Sequence, residues 1–118
     1  MEYIMIIKWA YLRKGWTSCL KAQEFLGHKQ VVVQGVVDAR KERIDESAAW
    51  ILLKNAEKIN VAKGKSTSEL YPNIDSRMDV LKFVMGPSGN LRAPAIAVGN
   101  EFVIGFNADL YRKVFLGK

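Results

Sequence analysis

The sequence predicts an α/β fold built around a mixed sheet, and three observations carry that prediction. A short β-branched run near the N-terminus and a later valine-rich run are separated by a segment with helical spacing, the pattern of a β-α-β unit with two parallel strands. Near the C-terminus two short apolar runs flank Gly99-Asn100, a strong hairpin signal that adds two antiparallel strands. The composition is that of an average globular domain, with 118 residues, 49% hydrophobic and 25% charged. It excludes a disordered tail, a collagen-like repeat and a coiled coil, and the length predicts one domain over residues 1–118 with a core of modest size.

Each element follows in turn. Residues 2–8 (EYIMIIK) are too few for a helix and suit a buried strand. After a loop at Arg13-Lys14-Gly15, Thr17 or Ser18 caps a helix whose apolar positions are Cys19, Ala22, Phe25 and Leu26. Gly27 ends that helix where a left-handed residue is wanted. Residues 30–37 (QVVVQGVV) hold five valines in eight positions and form a second buried strand. Asp45 caps a helix from Glu46 to about Ile59, with Ala49, Leu52, Leu53, Ala56 and Ile59 as its apolar stripe. The polar, breaker-rich stretch 60–73 reads as a connection. Its Gly64-Lys65-Ser66 resembles the end of a phosphate loop, but Ile59 stands where that motif needs its first glycine. Asn73 or Asp75 starts a third helix with Ile74, Met78, Leu81 and Met85 inward, stopped by Gly86-Pro87. The strands 94–98 and 101–106 make the hairpin, and Asn107 caps a last helix with Leu110, Tyr111, Val114 and Phe115 on one face. The expected order is β-α-β-α-α-β-β-α, a four-stranded mixed sheet flanked by helices.

Composition narrows the chemistry. One cysteine, Cys19, closes no disulfide within the chain, and with His28 the only histidine a Cys/His zinc site is excluded. The apolar run at Tyr3–Ile7 is too short for a signal segment or a membrane span, so a soluble cytoplasmic protein is expected. The formal net charge is +6, yet the basic residues are spread from Lys8 to Lys118 in runs no longer than two. That distribution reads as a solvated basic surface, and nucleic-acid binding is the least supported function. His28, just after Gly27, reads as a surface residue. Asp38, Glu42, Asp45 and Glu46 cluster around a helix start and read as capping and solvation. No triad, metal motif or dinucleotide glycine pattern is found.

Two local patterns say more. Trp16-Thr17-Ser18-Cys19-Leu20-Lys21-Ala22 stands where the first strand gives way to the first helix, and Leu91-Arg92-Ala93-Pro94 is followed by Gly105-Phe106-Asn107. Together they resemble the arsenate reductase and Spx branch of the glutaredoxin-like proteins, which has a thioredoxin-like fold. That branch shows Cys-Thr-Ser-Cys-x-Lys-Ala or Cys-x-x-Ser at the first site. At the second it shows Leu-Arg-Arg-Pro, then Gly-Phe or Gly-Tyr with Asn after the hairpin. The likeness covers residues 16–115. Trp16 replaces the family's nucleophilic cysteine, Cys19 matches its resolving position, and Ala93 replaces the arginine that helps hold the oxyanion. The resemblance implies that Pro94 follows a cis bond beside the site turn, exposing backbone groups of Ala93 to an extended ligand. An ordinary trans proline opening an edge strand is the other reading.

The single residues keep two readings each. Cys19, in the first helical turn near the dipole, is a candidate catalytic monothiol, or else a small buried hydrophobe. Arg92 is a candidate anion or carboxylate ligand, or else a solvated surface arginine. Trp16 brings no nucleophile, no ionisation and no metal ligand, but a broad aromatic face with one N–H donor. The leading expectation is therefore a thioredoxin-fold module that has lost dithiol and arsenate chemistry. It binds a protein partner in a groove lined by Trp16, Thr17, Ser18, Arg92, Ala93 and Pro94. Spx-type proteins bind RNA polymerase, so the resemblance implies a protein partner. The alternative is a monothiol oxidoreductase using Cys19 with glutathione or another thiol as co-substrate, and with no bound cofactor or metal.

Overall fold

A computed structural model describes residues 5–27 and 31–116. It is an α/β structure with twelve elements: β1 (Met5–Ile7), β2 (Trp9–Leu12), α1 (Thr17–Gly27), β3 (Val31–Val33), β4 (Val36–Asp38), α2 (Glu46–Leu53), β5 (Lys58–Lys63), β6 (Ser66–Leu70), α3 (Arg77–Val84), β7 (Ala95–Val98), β8 (Glu101–Ile104) and α4 (Ala108–Leu116). Among the described residues the main sheet has six strands, in the order β4-β2-β7-β8-β5-β6. A four-stranded sheet was expected, so two strands come from elsewhere. They are β5 and β6, cut from the end of the expected second helix (Lys58 and Ile59) and from the stretch 60–73 that reads as a connection.

The β-α-β unit is present, but each of its strands is broken once. β1 pairs with β3 and β2 with β4, all parallel, and the breaks face each other at Lys8 and at Gln34-Gly35. The backbones close there through Gln34 N–H to Ile7 O at 2.8 Å and Ala10 N–H to Gly35 O at 2.9 Å. Glycine is required on the second strand, because a Cβ at Gly35 would stand 2.5 Å from the Lys8 carbonyl oxygen. Residues 2–4 of the first expected strand, the expected surface residue His28, and Gln30 lie outside the described residues.

β2 then pairs antiparallel with β7, and β7 with β8 across the Gly99-Asn100 turn, as the hairpin signal predicts. β8 runs parallel to β5, and β5 turns back into β6 through Gly64-Lys65. The two hairpins share one device: a glycine at positive φ (+60° at both Gly64 and Gly99) in the first turn position. Gly64 is thus turn chemistry.

Helices cover both faces, and strand residues alternate between two cores. α1 and α4 pack Ala22, Leu26, Leu110, Tyr111 and Phe115 on Ala10, Ile96 and Val103. α2 and α3 pack Ala49, Leu53, Val80, Leu81 and Val84 on Tyr11, Val61, Ala95 and Ile104. A buried leucine or isoleucine contributes roughly 1.5–3 kcal/mol here.

Three helix boundaries differ from expectation. α1 starts at Thr17, so Trp16 sits at the cap and no side-chain bond from Thr17 or Ser18 closes the first turn; Gly27 is its last residue, without a left-handed φ. α2 keeps its Asp45 cap, with Oδ1 accepting from Ala48 N–H at 3.0 Å, but stops at Leu53, and Ile59 is buried in β5 instead. Ile59 has two ladders open to it, against β8 and β6, which a longer helix would forgo. α3 is capped by Ser76, whose Oγ accepts from Asp79 N–H at 3.1 Å. This later start makes Val80, Leu81 and Val84 the inner stripe and leaves Ile74 and Met78 each 79% exposed.

The most confined glycine among the described residues is Gly105, at φ +87°, where a Cβ would run into the Ala62 carbonyl oxygen. Gly64 also has positive φ, but open space around it. Gly105→Ala is therefore expected to cost more than about 2 kcal/mol in urea denaturation, against about 1 kcal/mol for Gly64→Ala. Equal losses would mean that the Ala62 contact relaxes freely.

Candidate functional site

The candidate site begins where β2 turns into α1. Residues 13–15 form a turn closed by Trp16 N–H to Arg13 O at 3.2 Å, and Leu20 N–H then reaches back to Trp16 O at 3.0 Å. The indole is left outside, 47% exposed, with the Arg13 guanidinium 4.6 Å from the ring centroid. That is cation–π geometry, and it holds a flat aromatic surface in place at the helix start. Thr17 and Ser18 are exposed beside it. With no oxygen-bearing side chain at the cap, the first-turn N–H groups are not closed off by a local acceptor.

Cys19 points the other way. It is 1% exposed and belongs to the core cluster that contains Tyr11, Ala93 and Ala95. Its Sγ accepts a hydrogen bond from Arg13 N–H at 3.3 Å. Burial pushes the thiol up from its ordinary range, and the Arg13 bond only partly offsets that. A thiolate is what redox attack requires, and here the neutral thiol is favoured.

The second motif is fixed by its own contacts. The Ala93–Pro94 bond is cis, Ala93 and Pro94 are buried, and the Pro94 carbonyl accepts from Gly105 N–H at 2.8 Å. Upstream, Asn90 ties the segment down: its Oδ1 accepts from Ile44 N–H at 2.6 Å and its Nδ2 donates to the Tyr11 hydroxyl at 3.0 Å, while that hydroxyl donates to the Glu42 carbonyl. Arg92 turns away toward β5 and α3. Its Nη2 donates to Ala62 O at 2.9 Å and its Nη1 to Phe83 O at 3.4 Å, and burial lowers its pKa.

The six expected groove residues are therefore divided. Trp16, Thr17 and Ser18 share one exposed helix start, and Ala93 lies with Cys19 in the core beneath. Arg92 faces a separate cleft of about 280 Å³, among Lys63, Ser66, Ser68 and Lys82. Three of those four were missed because the hairpin that carries them reads as a connection; the local signal for it is the two-residue turn Gly64-Lys65 after the alternating Ile59-Asn60-Val61. An apolar cleft of about 650 Å³ lies beside α3, lined by Met78, Leu81 and Met85. Among the described residues no group of three or more His, Cys, Asp or Glu side chains is placed to hold a metal ion, and no helix is long and apolar enough to cross a membrane. No known protein family and no curated protein matches the sequence.

One electrostatic consequence is testable. Tyr111, buried with its hydroxyl donating to Gly105 O at 2.8 Å, is held protonated far above the ordinary tyrosine range by burial, with a smaller push from Cys19. Both groups keep their protons more tightly folded than unfolded. Above about pH 8.5 and then about pH 10, the unfolded chain releases protons that the native state retains, so stability falls as pH rises. The double variant Cys19→Ala, Tyr111→Phe should be less stable at neutral pH but lose less between about pH 8 and 11, read by urea denaturation. Parallel pH curves for parent and variant would show that the fold does not hold these groups neutral.

Proposed function

We propose that the chain is a thioredoxin-like protein of the arsenate reductase/Spx type that no longer performs dithiol or arsenate chemistry. It acts by binding a protein partner at the exposed start of α1. The observation that carries this reading is an exchange of roles in one helical turn. An exposed, stacked indole occupies the position where the resembling family places its attacking thiol, and the remaining thiol is buried and neutral.

Sheet order supports the fold part. The strands β4, β2, β7 and β8 lie side by side, parallel, antiparallel and antiparallel in turn, the order a thioredoxin-like sheet would need, within a sheet that β5 and β6 widen to six strands at the β8 edge. The surface supports the binding part, since Trp and Arg dominate the centres of protein interfaces, and Trp16 and Arg13 are already held against each other. A lone unpaired cysteine fits a reducing compartment such as the cytoplasm.

Alkylation of Cys19 separates this from a glutathione-dependent monothiol enzyme. The thiol is expected to react slowly in the native protein and rapidly in urea. Fast native alkylation, titrating below about pH 8.5, would instead put the enzyme first. For the partner surface, immobilised wild-type, Trp16→Ala and Cys19→Ala proteins are compared for what each retains from cell extract. A partner held by wild type and Cys19→Ala should be weakened about thirtyfold or more by Trp16→Ala. Equal retention on all three would end the Trp16 assignment.

A further inference from the structure

The cleft beside Arg92 is built from three separate elements. Register places Val61, Lys63, Ser66 and Ser68 on one face of the β5–β6 hairpin, because Val61 pairs with Ser68 and Lys63 with Ser66. Lys82 enters from α3, and Arg92 from the segment that leads into β7. Three cations and two hydroxyls therefore line one hollow, and no carboxylate is among the lining residues.

No ion pair among the described residues compensates this charge. The ion pairs among the described residues join Arg40 to Asp38, Lys58 and Lys113 to Glu69, and Arg112 to Asp109; Lys63, Lys82 and Arg92 are in none of them. Asp79, one turn before Lys82 on α3, makes no ion pair with it. Arg92 is half-buried, and its two hydrogen bonds go to neutral carbonyls, which fix the guanidinium without neutralising it. A partly desolvated cation beside two like charges is unfavourable until an anion joins them. The remaining walls, Phe83, Met85 and Pro87, are apolar, and Phe83 is 42% exposed. The cleft, of about 280 Å³, has room for more than a bare oxyanion.

We propose that this cleft binds a small organic phosphate monoester. The phosphoryl group sits against Lys63, Lys82, Arg92 and the two serine hydroxyls, and an apolar or aromatic body lies on Phe83 and Pro87. A dianion with three terminal oxygens uses this donor set more fully than a carboxylate with two. The site is independent of the partner surface at Trp16.

The test is a ¹H–¹⁵N titration of the full chain with phenyl phosphate, alongside benzoate and inorganic phosphate. Binding by phenyl phosphate should saturate, with shifts confined to the cleft residues Lys63, Ser66, Ser68, Lys82, Phe83 and Arg92 and the turn after α3, and should be tighter than either comparison anion. Lys63→Ala and Lys82→Ala, both exposed positions, should each weaken it about tenfold, and Lys54→Ala, just after α2, should leave it unchanged. Shifts scattered over the basic surface, or equal weakening by Lys54→Ala, would reduce the effect to general charge attraction and overturn the site. Benzoate binding as tightly would reject the phosphoryl assignment, and inorganic phosphate binding as tightly would reject the apolar body.

Discussion

The structure depends on the close approach of Gly105 to Ala62. At this point β8 has ended, and the chain must leave the sheet, pass over β5 and enter α4 within a few residues. Only a residue without a Cβ can pass the Ala62 carbonyl at this φ. The exposed valences are then closed one by one. Gly105 N–H goes to Pro94 O, Gly105 O accepts from the Tyr111 hydroxyl, and Ala62 O accepts from Arg92. Four parts of the fold meet there: the added hairpin, the segment before β7, the end of β8 and the last helix. Gly105-Phe106-Asn107 thus has a physical reason for each polar and backbone element, since Asn107 Oδ1 caps α4 through Leu110 N–H at 3.0 Å.

The same junction explains why Arg92 is not a free surface arginine. With β8 finished, the Ala62 carbonyl has no strand partner beyond it, and Arg92 supplies the donor. Its guanidinium is drawn partly out of water by that task, and the cation is then a feature of the cleft floor. Stability and recognition are connected at this residue: what completes the backbone also concentrates positive charge where the hairpin and α3 leave room.

At the start of α1 the balance runs in the opposite direction. Polar function in a thiol site needs a sulfur near water and a helix end open to it. Here the sulfur is packed against the core and the helix end is topped by an indole under an arginine. The features that would activate a thiol are therefore available only to something brought from outside. That division supports a surface for binding over a centre for electron transfer.

Much of the fold was legible along the chain. The β-branched runs, the Gly99-Asn100 hairpin, the Asp45 and Asn107 caps and the inward faces of α1 and α4 are local patterns, fixed by propensity, spacing and turn chemistry. The core position of Cys19 was also one of its two readings, from its spacing with Ala22 and Leu26. What sequence did not settle is where local preference is weak and a distant partner decides. Ile59 continues a helical stripe in sequence, yet β8 offers it a parallel ladder, and the backbone hydrogen bonds of two neighbours outweigh one more helical turn. The polar strand Ser66–Leu70 has no pattern of its own; it exists because β5 is beside it. The direction of Arg92, and with it the grouping of Lys63 and Lys82 in one cleft, follows from that added hairpin. The sequence by itself determined the α/β class, the hairpin and an indole in place of any nucleophile at position 16. Only the tertiary structure decided the width of the sheet, the exposure of Ile74 and Met78, and which residues share a site, because those depend on pairings between residues far apart in the chain.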